Sequence, residues 1–256
     1  MIKSFLAHPL TRGLDLDSPG TTALRRQVIN EKPFLKKIYN EWYKDISEAL
    51  PDGQGHVLEI GSGAGDLSER MPLITSDTFF CPNIQVALDG QHLPFLGGGL
   101  RGIVLVNVLH HLPKVRLFFK EATRCVAPGG VIIMVEPWVT NWSRIVYRWL
   151  HSEPFDPKMK TWEFASSGPL SGANGALPWI VFERDRDRFE EEFPEWRVRE
   201  IKLGMPFRYL ASGGISMRNL MPGWSYGLWS AFENFLHPIM DKLAMFAFIV
   251  LVRKRP

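Results

Sequence analysis

Cysteine is nearly absent from this 256-residue chain. Cys81 and Cys125 stand far apart, neither in a C-x-x-C pair, and no histidines fall at the spacing of a metal site, so no metal is expected. The simplest compartment is the cytosol, where both thiols stay reduced. Long apolar runs are missing as well. The longest, Leu243 to Val252, is about half of what a membrane span needs. The first 13 residues carry no apolar core of signal-peptide length before Pro9 and Arg12. Charge of one sign is nowhere concentrated, and a net charge of +3 without a basic face excludes nucleic acid as the expected partner. The local exception is Arg253, Lys254 and Arg255, which read as a solvated tail, with contact to anionic lipid headgroups as the alternative. There is no internal repeat and no low-complexity stretch.

What is present is an ordinary globular composition, 45% hydrophobic and 22% charged, on a length that suits one α/β domain with elaborations. Residues 1–53 read as a helical N-terminal cap. Leu24, Val28, Leu35, Ile38, Trp42, Ile46 and Leu50 keep helical spacing, and Pro33 divides the run into two helices. Residues 54–137 alternate strand and helix. Strands are expected at 56–60, 73–76, 85–88, 102–108 and 131–135, and helices at 66–71 and 114–126. The run Ile103-Val-Leu-Val106 is apolar throughout, as in a strand buried on both faces. Beyond Pro137 the pattern loosens. Residues 138–184 and 205–242 read as cap insertions, 185–193 as a charged helix, and 196–203 and 244–252 as the last strands, an antiparallel edge on an otherwise parallel sheet. The expected fold is Rossmann-like α/β: a seven-stranded, mostly parallel sheet with helices on both faces, an antiparallel C-terminal strand and helical cap insertions.

The chemistry is concentrated in Val57-Leu-Glu-Ile-Gly-Ser-Gly-Ala-Gly-Asp66. A strand ends at Ile60, and Gly61, Gly63 and Gly65 follow around Ser62, so that backbone can turn tightly and approach a ligand with no Cβ in the way. A dinucleotide loop, G-x-G-x-x-G, would need glycine where Asp66 stands, and that carboxylate would repel a pyrophosphate. The spacing here is instead G-x-G-x-G, after the acidic Glu59. Asp77, after the second strand, can accept hydrogen bonds from both ribose hydroxyls; a solvated loop acid is the plainer alternative. Asp89, followed by Gly90, can accept from an adenine amino group, with Leu93 and Phe95 packing nearby. Asn107 closes the fourth strand, and Pro128-Gly-Gly130 precedes the fifth.

In that order, LEIGSGAGDLSE, DGQHLPF, VLVNVLHHL and VAPGGVIIMVEP resemble the class I methyltransferases of the UbiE, or type 11, group over residues 54–137. The resemblance implies S-adenosyl-L-methionine as cofactor. It implies that Gly61, Gly63 and Gly65 wrap the methionine part, that Asp77 meets the ribose and Asp89 the adenine end, and that Asn107 lies beside the cofactor. The second strand, residues 73–77, is shorter and more polar than its counterpart in the group.

Methyl transfer from a sulfonium is an in-line displacement, so an enzyme must place the nucleophile and exclude water, and needs a base only where the acceptor loses a proton. His110 and His111 sit at a strand's C-terminal end, where ligands bind in open α/β sheets. They read as scaffold histidines or as a base. His111 is the candidate of the two, with Glu136 at the next strand's end as a second. The acceptor, a small molecule, is set by the cap and the insertions, which hold most of the tryptophans. Residues 226–243 place Leu228, Trp229, Phe232, Phe235 and Ile239 at helical spacing, a face that could dock on the sheet or lie in a membrane interface as a peripheral contact. Residues 8–17 and 206–224 also resemble methyltransferases linked to bacterial surface-polysaccharide synthesis, which implies O-methylation of a sugar or lipid-linked precursor. Two other classes compete: an NAD(P) oxidoreductase or nucleotide-sugar enzyme, which lacks its third glycine and a Tyr-x-x-x-Lys here, and a non-catalytic protein that binds the cofactor and transfers nothing.

Overall fold

The computed structural model of the protein describes residues 8–11, 19–151, 153–166, 168 and 172–255. Parts of the 8–17 motif and of the 166–175 loop lie outside the described residues.

Two helices open the chain, α1 (Pro19–Glu31) and α2 (Pro33–Ala49), broken where Pro33 removes a donor. Seven strands follow: β1 (His56–Ile60), β2 (Ile74–Asp77), β3 (Val86–Ala87), β4 (Leu100–Val106), β5 (Val126–Pro137), β6 (Trp196–Gly204) and β7 (Phe246–Arg253). They form one sheet in the order β3-β2-β1-β4-β5-β7-β6. The first five run parallel, and β7 is antiparallel to both β5 and β6. The last two strands thus form the antiparallel edge that the sequence suggests, with β7 one place inside and β6 outermost. The physical reason is apolarity: FAFIVLVR is buried over most of its length and must be covered on both sides, whereas WRVREIKLG alternates buried and exposed residues and tolerates solvent.

Alternation along the strands divides the core in two. Leu58, Ile103, Leu105 and Ile132 face α3 (Val115–Cys125), whose Val115, Phe118, Phe119 and Ala122 recur at helical spacing and are fully buried. Val57, Val104, Ile133 and Val250 face α2, which contributes Phe34, Ile38, Trp42 and Ile46. The strand called at 131–135 starts earlier, at Val126, because Val126 pairs with Leu100 across an irregularity at Pro128–Gly130. The expected helix over 66–71 does not form. A three-residue 3₁₀ turn, Leu67–Glu69, stands there.

The insertions are more ordered than their sequence indicates. Residues 138–184 contain α4 (Asn141–Leu150), started by a Thr140–Ser143 capping box, and a turn at Leu177–Trp179 running into π-helical Ile180–Arg184. The charged helix α5 (Arg186–Glu192) follows. The second insertion holds α6 (Arg208–Ala211), α7 (Tyr226–Phe235) and α8 (Met240–Leu243). Helix α7 docks through Tyr226 and the buried Glu233, while Leu228, Phe232 and Phe235 point outward. Among the described residues no helix is long and apolar enough to cross a membrane.

Candidate active site

The C-terminal ends of β1, β2 and β4 open onto a cavity of about 450 Å³, within the usual range for a small-molecule site. The turn out of β1 forms its floor. Gly61 has φ of 73°, in the left-handed region, and a Cβ there would stand 2.4 Å from the Val108 side chain. Only glycine fits at this point. Gly61, Gly65 and Glu59 line the cavity, as do Asp77, Asp89, Gly90 and Asn107.

Two of the expected residues are placed otherwise. Ser62 is buried behind the loop, where its Oγ donates to the Glu59 carbonyl and accepts the Ser76 N–H. Gly63 donates its N–H to Asp77 Oδ2 at 3.1 Å, and a Cβ on it would stand 2.3 Å from the Thr22 side chain. Neither Ser62 nor Gly63 faces the cavity. They fasten the loop to β2 and to α1, and the spacing of glycines along the chain does not distinguish a residue under the ligand from one under a helix. Asp66, where a dinucleotide loop would have glycine, pairs with Arg26 of α1 at 2.9 Å, and its N–H donates to the Tyr43 hydroxyl.

The acids of the cavity differ in their environment. Burial pushes the Glu59 carboxyl up to about 7, against a hydrogen bond from Ser62. Burial raises Asp77 too, opposed by the N–H groups of Phe79 and Gly63. At Asp89 burial is outweighed by bonds from Gln91 and His92, and the carboxyl is held below its ordinary value. Asn107 ends β4 with φ of 58°, a conformation that asparagine tolerates better than most side chains, and its N–H donates to the Val135 carbonyl at 2.8 Å.

A second cavity of about 320 Å³ adjoins the first. Both are lined by Arg25, Asn107, His111 and Ile215. The second is otherwise bounded by α4, by residues 209–217 and by the start of β7, with Val146, Leu150 and Phe246 as apolar wall and Tyr147 and Tyr209 as ring faces with hydroxyls.

His111 stands on the shared wall. Its Nδ1 lies 3.2 Å from the Gly172 carbonyl, which can only accept, so the proton is on Nδ1 and Nε2 carries the lone pair. Burial and the neighbouring His110 push its pKa down to about 4 and keep the ring neutral. Glu136, the other candidate base, is in neither cavity and is fully buried. Its Oε1 accepts the N–H groups of Val108 and Leu109, and its Oε2 lies 2.6 Å from His110 Nδ1. A fully buried carboxylate with both oxygens engaged by the scaffold does not reach an acceptor, so its role is to shape the turn after β4 and to orient His110. Glu153 was not legible in the sequence, since it lies in the loosely patterned insertion with no motif around it. It faces both histidines, 3.4 Å from His110 Nε2 and 3.8 Å from His111 Nε2. Although burial alone would lower His110, Glu136 and Glu153 together push it up to about 9.

The donors fit an adenosyl cofactor with a cationic tail better than a phosphate-bearing one. Three carboxylates point into the first cavity, the glycine turn is one a Cβ would close, and a pyrophosphate would sit against Glu59 and Asp77. The strand order and the glycine turn after β1 give the Rossmann-like fold found in the class I methyltransferases, and S-adenosylmethionine is the cofactor this arrangement fits. Residues 58–134 match the family model described as a methyltransferase domain, of type 11. No curated protein matches the chain. A chain of the Haloferax volcanii complex between the Trm112 methyltransferase activator and a methyltransferase superposes with a TM-score of 0.51 at 11% identity, over 94% of this chain and 98% of that one. An S-adenosylmethionine-dependent methyltransferase from Archaeoglobus fulgidus gives 0.50 at 14% identity, over 86% and 94%. At such identities the likeness is one of fold.

Proposed function

We propose that the protein transfers the methyl group of S-adenosylmethionine to an oxygen of a small acceptor held in the second cavity. The observation that carries this reading is the junction of the two cavities at Asn107 and His111. The cofactor supplies an electrophilic methyl carbon on a sulfonium. Gly61 and Gly65 leave room for its methionine part, Asp77 accepts from the ribose hydroxyls, Asp89 meets the adenine end, and Glu59 faces the cationic tail. Asn107, held in its unusual backbone conformation, forms the wall between cofactor and acceptor. The O–CH₃ bond forms as the S–CH₃ bond breaks, and the proton of the acceptor hydroxyl is lost to solvent. The apolar wall with two tyrosine rings suits a glycan or lipid-linked precursor. The outward face of α7 and the turn before it support the peripheral membrane contact that such a precursor requires: Leu228 and Phe235 on the helix are 68% and 81% exposed, and Trp224 in the turn is 77% exposed.

Two measurements test this. In calorimetry S-adenosylmethionine and S-adenosylhomocysteine are expected to bind; binding of NAD with neither sulfur ligand would overturn the reading. With methyl-labelled cofactor, label is expected in lipid-linked sugars, and label in quinone precursors alone would sink the glycan assignment.

Glu59 adds a pH dependence. With its carboxyl at about 7, the ionised form that faces the cofactor's positive tail is lost below that pH. Affinity at pH 6 should be roughly tenfold weaker than at pH 8, and Glu59→Gln should bind weakly with a flat profile. The linkage to stability has the opposite sense. The folded value lies above the ordinary 4.5, so the contribution is full below pH 4.5 and is lost as pH rises through 7. Apo-protein melts should show this slope, and Glu59→Gln should remove it.

A further inference from the structure

Chain spacing shows no metal ligands, yet the fold brings three donors from two distant segments to one point. Among the described residues, His110, His111 and Glu153 each aim a ligand atom at a common centre, all within 4.8 Å of one another. The two histidines are in tilted contact, with ring centroids 4.3 Å apart. Each has its Nδ1 engaged on the far side, His110 with the Glu136 carboxylate at 2.6 Å and His111 with the Gly172 carbonyl at 3.2 Å. Both Nε2 atoms are thereby turned toward Glu153. At His111 this leaves an anomaly. The Nε2 lone pair faces Glu153 Oε1 across 3.8 Å, so two acceptors confront each other with no hydrogen between them. A cation in the gap resolves that.

We propose that His110 Nε2, which releases its proton to solvent as the ion binds, His111 Nε2 and the Glu153 carboxylate form a binding site for a divalent first-row transition metal ion. Two donor atoms each about 2.1 Å from one ion at a tetrahedral angle are about 3.4 Å apart. The histidines face different oxygens of Glu153, at 3.4 and 3.8 Å, and one ligand atom from each residue lies within 4.8 Å of the others, so side-chain rotation closes the set on such an ion. Two imidazoles and one carboxylate select Zn²⁺, Fe²⁺ or their neighbours over Ca²⁺ and Mg²⁺, which prefer all-oxygen shells. Glu136 behind His110 and the Gly172 carbonyl behind His111 are the outer partners that fix tautomer and ring orientation in metal-binding histidines. All three ligands line the second cavity, so the remaining coordination position opens toward the acceptor. An acceptor hydroxyl bound there would be made more acidic by the ion. The ion's role in transfer rests on the reading of the second cavity given above, but its binding does not.

The test uses the full chain after chelator treatment and dialysis, titrated with Zn²⁺ in a calorimeter and with Co²⁺ in a visible spectrophotometer. One ion per chain is expected, with Co²⁺ giving the absorption of a site bearing nitrogen and oxygen ligands. Glu153→Gln and His111→Gln should each weaken Zn²⁺ at least 100-fold, and Glu136→Gln should weaken it 10- to 100-fold through His110. Thermal melts of each variant establish that the fold persists. Absence of uptake at 100-fold molar excess, or uptake unchanged in both Glu153→Gln and His111→Gln, would overturn the site. S-adenosylmethionine titrations of the same samples keep the two proposals apart: loss of cofactor binding with ion uptake intact would sink the methyltransferase reading and leave the metal site standing.

Discussion

Glu233→Ala is expected to lower the thermal midpoint by about 10 °C, from a loss of roughly 3–5 kcal/mol. Glu233 is 2% exposed, and both of its oxygens are occupied. Oε1 accepts the N–H groups of Phe207 and Arg208 at 2.8 and 2.6 Å, and Oε2 accepts Arg208 Nε at 2.5 Å. Arg208, itself buried, also reaches Glu41 of α2 at 2.6 and 3.1 Å. One carboxylate thus caps the start of α6, pairs the guanidinium and ties α7 to α2. Alanine leaves two N–H groups without an acceptor and a buried cation with only Glu41 and Tyr226. Glu233→Gln keeps the shape and one carbonyl acceptor, so its loss should be about half as large. Scanning calorimetry decides between them, and a midpoint within 2 °C of wild type for the alanine variant would show that the network contributes nothing. Residues 209–215, which follow Arg208, line the second cavity and barely touch the first. Below the melt, Glu233→Ala should therefore keep its affinity for S-adenosylmethionine within threefold while acceptor turnover falls.

Asp77→Ala is expected to weaken S-adenosylmethionine by about 100-fold, since two hydrogen bonds to a charged acceptor contribute roughly 1.5–3 kcal/mol each in a buried site and part of that is recovered by water. The same carboxylate holds the Gly63 N–H, so the loop behind the cofactor loosens with it. Asp77→Asn keeps one acceptor oxygen and should lose about tenfold. Equilibrium titration with S-adenosylhomocysteine reads both. Equal affinity in wild type and Asp77→Ala would mean that this acid is a scaffold group and that the ribose lies elsewhere. In that case its work is the bonds it already makes to the N–H groups of Gly63 and Phe79.

Much of the cofactor half was legible because its determinants are local. β1 and β4 are runs whose residues alternate between two buried faces, and α3 repeats Val115, Phe118, Phe119 and Ala122 on one side, so period alone identifies them. Gly61 was legible for a related reason: a strand that must turn sharply beneath a ligand has few alternatives to glycine. The acids Glu59, Asp77 and Asp89 lie within two residues of strand ends, and in a parallel sheet every such end opens on the same side, so strand boundaries already place them together.

What sequence by itself determined is thus the class of fold and which acids and glycines meet at the strand ends around the first cavity. Tertiary structure alone decided the rest. It put β7 inside the sheet, because the apolar strand needs two neighbours and the amphipathic one needs only one. It turned Ser62 and Gly63 away from the cavity and onto α1 and β2, and it buried Glu136 behind His110. It also brought Glu153, from an insertion with no regular pattern, against two histidines 42 and 43 residues away in the chain. Periodicity records which way a residue points relative to its own helix or strand. It does not record what another segment, closing over the end of the sheet, will place opposite.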